Sequence, residues 1–256
     1  MSLRVQGLLR HYGGVRALDG VSFEVPSGQC VALIGPNGAG KSTCFACLAG
    51  QQRPGAGEVF WRGQALSALA PEQRLALGVA RTFQVAQTFE ALTVLQNIQL
   101  VRTHSRLSWW DRLDAREGPQ AHAALAQVGL QALADVRVAD LPYGAKKRLE
   151  LAMALAAWST QGERLLLLDE PAAGLAPSER AAMMALVRTL ADAGATVLYT
   201  EHNMDAVFGV ADRVLVLMQG RLVADGRPEA VAQDPQVRKR YLGQDFVLGA
   251  GADAHG

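Results

Sequence analysis

The chain has 256 residues, half of them apolar, and a formal net charge of +1 with basic and acidic residues interleaved. Such a length allows one large or two small domains around a substantial core, and the absence of a basic stripe argues against nucleic acid as a partner. No apolar run approaches bilayer length, residues 1–10 lack an apolar signal core, and Cys30, Cys44 and Cys47 suggest no disulfide framework; a protein of a reducing cytosol is expected, reaching any membrane through a partner.

Residues 3–10 read as a first strand, ended by the turn His11-Tyr12-Gly13-Gly14, and residues 21–25 alternate as a second, closed by Pro26-Ser27-Gly28. The apolar run 30–34 is a third strand. It leads into Gly35-Pro36-Asn37-Gly38-Ala39-Gly40-Lys41-Ser42-Thr43, with a helix from near Lys41 to Ala49. Strand, Gly-rich turn and helix form the context of a phosphate-binding P-loop. The glycines let backbone N–H groups turn inward around a phosphate, and the helix presents its unpaired N–H groups and positive dipole end to the same anion. In this reading Lys41 reaches the β- and γ-phosphates and the Ser42 hydroxyl ligates Mg²⁺. Cys44 and Cys47, one turn apart on that helix with no second pair, read as small buried residues and not as a redox or metal site.

A turn at 53–57 precedes a strand at 58–61, a short helix at 71–77 with Pro in its first turn, and a strand at 79–83 ending at Gln84. Residues 93–133 have a helical texture without a convincing strand and read as an inserted or appended helical subdomain. Within it, Trp109-Trp110 is either a local packing pair or a docking patch. Leu141-Pro142-Tyr143-Gly144 reads as a break before a helix at 145–157. The apolar run 164–168, of the kind buried on both faces in a parallel sheet, ends in Asp169-Glu170. A helix at 177–193, a strand at 196–199 ending at Glu201-His202, a helix at 203–211, a hairpin over 214–225 and closing helices at 228–233 and 235–242 follow. Residues 249–256 are Gly/Ala-rich and expected to fray. Strands alternating with helices, with polar residues at the strand C-terminal ends, predict an α/β fold with a parallel sheet and a site along that edge.

A buried strand that delivers Asp169 beside a P-loop can hold Mg²⁺, directly or through water. Glu170, the next carboxylate, is placed to polarise a water for attack on a γ-phosphate; a general base of this kind typically contributes on the order of 10²–10⁴-fold in rate. Gln84 and His202 end predicted strands and Tyr12 offers a ring to a base. Spacing alone leaves those three open between site and loop.

Tyr12, GPNGAGKST, Arg81-Thr82-Phe83-Gln84, Leu141-Pro142-Tyr143-Gly144, LLLLDE, Pro171-Ala172-Ala173-Gly174-Leu175 and His202 stand in the order of the ATP-binding-cassette (ABC) ATPases. The chain resembles that class from residue 3 to about residue 246. Within it the chain looks most like the ATPase subunits of high-affinity branched-chain amino-acid importers, on the words RTFQ, YGxxxRLELA, DEPAAGL and EHNM and the Tyr241-Leu242-Gly243 ending. Urea and short-amide importers share these closely, and the lipopolysaccharide-export ATPase shares the tail and compact length. An ABC ATPase acting on nucleic acid or the ribosome has two cassettes or a long coiled-coil insertion. A small-metabolite P-loop kinase would not need Tyr143-Gly144, Glu170 and His202 together.

The resemblance implies a P-loop NTPase with a parallel sheet core, an antiparallel β subdomain and a helical subdomain at about 93–158, together one domain over residues 1–248. It implies ATP and Mg²⁺, the metal held by Ser42, Gln84 and Asp169. Tyr12 would stack on adenine, Gln84 would link the metal and attacking water to the membrane partner, Glu170 would be the base, and His202 would contact the γ-phosphate. Partners implied are transmembrane permease subunits, a second ATPase subunit closing head to tail over two ATPs, and indirectly a solute-binding protein, with the chain on the cytoplasmic face of the inner membrane. The signature segment departs from the family's Leu-Ser-Gly-Gly-Gln: Leu141, Pro142, Tyr143, Gly144 and Ala145 stand there, and Ala176 replaces a usual Asp or Asn. Pro142 offers neither hydroxyl nor N–H and Ala145 no side-chain hydrogen bond. Unequal ATP sites in a mixed dimer are therefore expected.

Overall fold

The fold is known from a computed structural model, which describes residues 2–82, 88–103, 118–158 and 162–243. Strands β1 (Ser2–Tyr12) and β2 (Val15–Pro26) form a hairpin, and β3 (Cys30–Ile34) runs into the glycine loop and helix α1 (Lys41–Ala49). Next come β4 (Ala56–Trp61), β5 (Gln64–Ala65), α2 (Pro71–Ala76) and β6 (Val79–Arg81), then helices α3 (Val94–Thr103), α4 (Gly118–Gln127) and α5 (Tyr143–Ala156). Strand β7 (Leu165–Asp169), α6 (Pro177–Asp192), β8 (Thr196–Thr200), α7 (Met204–Phe208), β9 (Arg213–Met218) and β10 (Arg221–Gly226) complete the strands. Helix α8 (Pro228–Gln233) and α9 (Pro235–Val237), continued by a π-helical turn at Arg238–Leu242, close the described chain.

Two sheets result. One is antiparallel in the order β2-β1-β4-β5; the other runs β10-β9-β3-β8-β7-β6. From β9 to β6 every neighbouring pair is parallel, and β10 alone turns back on β9. Every residue of β3, β7 and β8 is buried, as an interior parallel strand covered on both faces requires. Side chains alternate across a strand, and the alternation feeds two cores. Val31, Leu33, Leu165, Leu167 and Leu198 pack with α1 and the antiparallel sheet. Ala32, Ile34, Leu166, Leu168 and Val197 pack with helices on the other side, including Val94, Ile98, Leu125 and Leu149 of the helical segment.

The expected α/β architecture, with an antiparallel β part and a helical part, is what forms. Boundaries moved for physical reasons. Strand β2 begins at Val15, where Arg16, Asp19 and Gly20 hide the alternation; pairing with β1 over most of the strand replaces the missing apolar signal. The expected break at Tyr143-Gly144 is instead the first turn of α5. Pro142 is its N-cap, and the Pro142 carbonyl accepts from Ala145 N at 3.0 Å and Lys146 N at 3.1 Å. A proline at this boundary costs nothing, since its missing N–H would have no partner there. Gln84, Trp109, Trp110 and residues 249–256 lie outside the described residues. Among the described residues, no helix is long and apolar enough to cross a membrane.

Candidate active site

Because β3, β7 and β8 are adjacent and parallel, the segments that follow them emerge along one edge of the sheet. The glycine loop leaves β3 there. Its glycines are obligatory for space as well as conformation: a Cβ on Gly35 (φ 149°) would lie 2.0 Å from the Leu217 carbonyl oxygen, and one on Gly40 (φ 107°) 2.2 Å from that of Ala17. The loop is pinned from below, where the Ala39 carbonyl accepts from Gly220 N at 2.9 Å in the β9–β10 turn. Asn37 and Gly38 are exposed, and Ser42 and Thr43 stand on the first turn of α1. The buried Lys41 curls over the loop, with Nζ donating to the Gly35 carbonyl at 2.6 Å and that of Pro36 at 3.1 Å. Burial pushes its ammonium below the usual lysine value, while the charges of Glu170 and Asp169 work in the opposite direction. The other end of α1 is closed by the buried Arg74, whose Nη1 donates to the carbonyls of Cys47 and Leu48 at 2.7 and 2.6 Å.

The acidic half comes from β7 and β8. Asp169 pairs in register with Thr200. Its Oδ1 accepts from the Thr200 hydroxyl at 2.8 Å and its Oδ2 from Arg81 Nη2 at 2.9 Å, in an almost fully buried ion pair. Arg81 is itself braced by the Gln51 side chain and lies 5.9 Å from the Phe45 ring centroid on α1. Glu170 adopts the left-handed region at φ 50°, uncommon outside glycine. Its N–H meets the Thr200 carbonyl at 3.2 Å and hydroxyl at 3.0 Å, and its Oε1 lies 2.8 Å from His202 Nε2.

Lys41, Asp169, Glu170 and His202 are thus gathered at one edge. The two tyrosines are not joined to that group by the contacts above. Tyr12, 41 % exposed, ends β1 with its hydroxyl donating to the Gln52 carboxamide beyond α1 and the Arg10 guanidinium 5.0 Å from its ring centroid. Tyr143, 48 % exposed, packs on Gly174, where an added Cβ would sit 3.1 Å from its ring. Gly144 lies against the Glu179 carboxylate of α6, where a Cβ would come within 2.5 Å. The signature segment therefore rests on the loop after Glu170. Arg81 and Thr200, which hold Asp169, are not singled out by the sequence reading: the run RTFQ contains the first and the second lies two residues before His202, and only the β6–β7 and β7–β8 pairings show what they face.

Residues 18–173 match the family model described as ABC transporter. The chain is 37 % identical over 254 residues to the high-affinity branched-chain amino acid transport ATP-binding protein LivG of Escherichia coli K12, spanning 94 % of this chain and 98 % of that protein. It is 36 % identical, with the same coverage, to BraF of Pseudomonas aeruginosa, which carries the same description. It is 33 % identical over 246 residues to the lipopolysaccharide export system ATP-binding protein LptB of Acidithiobacillus ferridurans, spanning 96 % and 98 %. A crystal structure of a nucleotide-free ATP-binding cassette from an ABC transporter superposes with a TM-score of 0.84 at 28 % identity, covering 95 % of this chain and all of that one. The ADP conformation of MJ1267, an ATP-binding cassette of an ABC transporter, gives 0.84 at 29 % identity with the same coverage. The chain belongs to the ABC transporter family, as an ATP-binding, ATP-hydrolysing subunit.

Proposed function

We propose that ATP lies on the loop 35–43, that Glu170 is the general base for its hydrolysis, and that the transporter driven by it imports branched-chain amino acids or related small polar solutes. The observation that carries the reaction is the convergence of Lys41, Asp169, Glu170 and His202 where three parallel strands end. Backbone N–H groups of the loop and the α1 N-terminus hold the phosphates, and Lys41 exchanges its carbonyl partners for phosphate oxygens. His202 aims the Glu170 carboxylate, which takes the proton of the attacking water. Tyr12 supplies a ring for adenine, and Gln84 reports the site to the membrane partner.

The donors suit Mg²⁺: the Ser42 hydroxyl and Asp169 carboxylate are hard oxygens, few in number, as fits an ion that keeps waters and substrate phosphates in its shell. Asp169, whose two oxygens are oriented by Thr200 and Arg81, would hold the ion together with Ser42, directly or through water. When bound, the ion neutralises charge on the β- and γ-phosphates.

We assign the whole of residues 1–248 to one such domain, peripheral on the cytoplasmic face of the membrane. Its partners are transmembrane permease subunits, a second ATPase subunit and, indirectly, a solute-binding protein. A cleft of about 340 Å³ lined by Leu75, Val79, Arg81, Val101, Glu150 and Met153, between the sheet edge and the helical segment, has room for side chains of a permease segment. The amino-acid reading rests on similarity to LivG and BraF; similarity to LptB keeps lipopolysaccharide export as the second reading. Glu170→Gln in the complex should abolish steady hydrolysis and leave ATP bound, whereas undiminished hydrolysis refutes Glu170 as base. Lys41→Ala should weaken ATP binding itself. Uptake of labelled leucine, urea or short amides by vesicles bearing the complex decides the solute, and uptake of none of them removes the importer reading.

A further inference from the structure

Glu201 has no part in the chemistry above, yet it is a carboxylate only 4 % exposed at the end of β8. Burying such a group is costly unless its oxygens are met by donors. Its Oε1 accepts from Ala172 N at 2.7 Å, and the backbone N–H of His202 also faces it. Burial pushes its carboxyl above the usual value, the two N–H groups acting against that shift.

Ala172 lies two residues beyond Glu170, whose left-handed backbone at φ 50° costs of the order of 1–3 kcal/mol for a residue with a Cβ. Such a conformation persists only where the surroundings fix it. Three consecutive residues at the end of β8 do so, each at a different point. Thr200 takes the Glu170 N–H and donates to Asp169, Glu201 takes the Ala172 N–H, and His202 meets the Glu170 carboxylate. A further bond from Ala173 N to the Glu170 carbonyl at 3.1 Å closes the turn. Without the Glu201 anchor the loop keeps its bonds to β8 at Glu170 but loses the one beyond it, at Ala172, and the Glu170 carboxylate is less firmly held on His202.

We propose that Glu201 is a positioning residue for ATP hydrolysis, holding the loop after Glu170 through the Ala172 N–H so that the Glu170 carboxylate stays on His202. This rests on the reading of Glu170 as base. The carboxylate is needed as an acceptor, so an amide oxygen in its place should serve.

The test compares Glu201→Ala and Glu201→Gln with the parent chain in complex with its membrane subunits. It measures kcat, nucleotide affinity by titration with a fluorescent ATP analogue, and melting temperature, with assays run well below melting. Glu201→Ala should lower kcat by about tenfold or more while nucleotide affinity stays within about twofold, because the P-loop is untouched. Glu201→Gln should recover most of the lost kcat. If Glu201→Ala does not fold, Glu201→Asp, which falls short of Ala172 by one methylene, should show the same split. A parent-like kcat in the Ala or Asp variant, a fall in affinity matching the fall in kcat, or a Gln variant as slow as the Ala variant each overturns the proposal. Glu170→Gln run alongside separates the two readings: parent-like hydrolysis there removes the base assignment itself, whatever the Glu201 variants do.

Discussion

Thr200 holds the two acids of the site with one hydroxyl, donating to Asp169 Oδ1 at 2.8 Å and accepting from Glu170 N at 3.0 Å. Thr200→Val keeps the shape but leaves a nearly buried carboxylate oxygen without its donor. A hydrogen bond to a charged group is worth about 1.5–3 kcal/mol. The expected result is a loss of about that size in chemical denaturation together with a lower kcat, and near-complete retention of both in Thr200→Ser. Parent-like stability in the valine variant would remove this role. Lys41, Asp169 and Glu170 were legible in the sequence because each ends a strongly patterned strand or opens a helix beside one, whereas His202 stood out only through the family resemblance. Thr200, Arg81 and Glu201 were not legible, because their roles depend on a strand register set by long-range pairing, such as Asp169 opposite Thr200. Nothing local encodes that register.

Helix α1 is buried along most of its length, so its termini matter more than its faces. Its N-terminus opens onto the glycine loop, and Arg74, 1 % exposed, puts a cation on the carbonyls at its other end, complementing the helix dipole. Its Nε also donates to the Leu69 carbonyl at 3.1 Å, tying α1 to the segment before α2. Arg74→Met should cost about 2–3 kcal/mol in denaturation, since several buried carbonyls lose their donor, and a change below about 0.5 kcal/mol would show that the cap is dispensable. The two sheets are tied by Asp19 of β2, which accepts from Arg221 of β10 at 2.8 and 2.9 Å while its N–H meets the Gly220 carbonyl at 2.8 Å. The Arg221 hydrogen bond holds the Asp19 carboxyl below its usual value of 3.8. A lowered folded-state pKa stabilises above the unfolded value and is lost as pH falls through the folded one, so this tie weakens below about pH 4. Asp19→Asn should flatten that part of the acid-denaturation curve, and an unchanged curve would count against it. Strands β3 and β7 were readable as continuous apolar runs, whereas the start of α5 was not, since Pro142 and Gly144 read as breakers until the chain shows proline acting as the cap.

At the scale of the whole molecule, the phosphate-binding half of the site and the signature segment do not meet through the contacts described. The first lies at the ends of β3, β7 and β8, and the second, at the start of α5, leans on Gly174 and Glu179. A second subunit facing this one head to tail would bring its own α5 to the P-loop here and receive this α5 at its own. What this chain offers in trans is a helix N-terminus whose cap, Pro142, has no side-chain hydrogen bond, followed by a bulky Tyr143, the small Gly144 and the buried Ala145. The loop beneath ends at Ala176, the N-cap of α6, which also lacks a capping side chain, and whose N–H goes to Glu179 of its own helix at 3.3 Å. Backbone N–H groups and the dipole of a 14-residue helix remain for a γ-phosphate, but the side-chain donors do not. One such hydrogen bond is worth about 1 kcal/mol, or roughly fivefold in binding. If the dimer is mixed, the deficit falls on the partner's ATP while the ATP on Lys41 meets a different signature, so the two sites of the reconstituted complex should turn over unequally by at least that factor. Inactivating each site in turn by Glu→Gln at its base separates them: the residual rate should be higher when the partner's base is removed than when Glu170 is. Equal residual rates would show that Pro142, Ala145 and Ala176 cost the trans site nothing, and that the helix N-terminus alone holds the phosphate there.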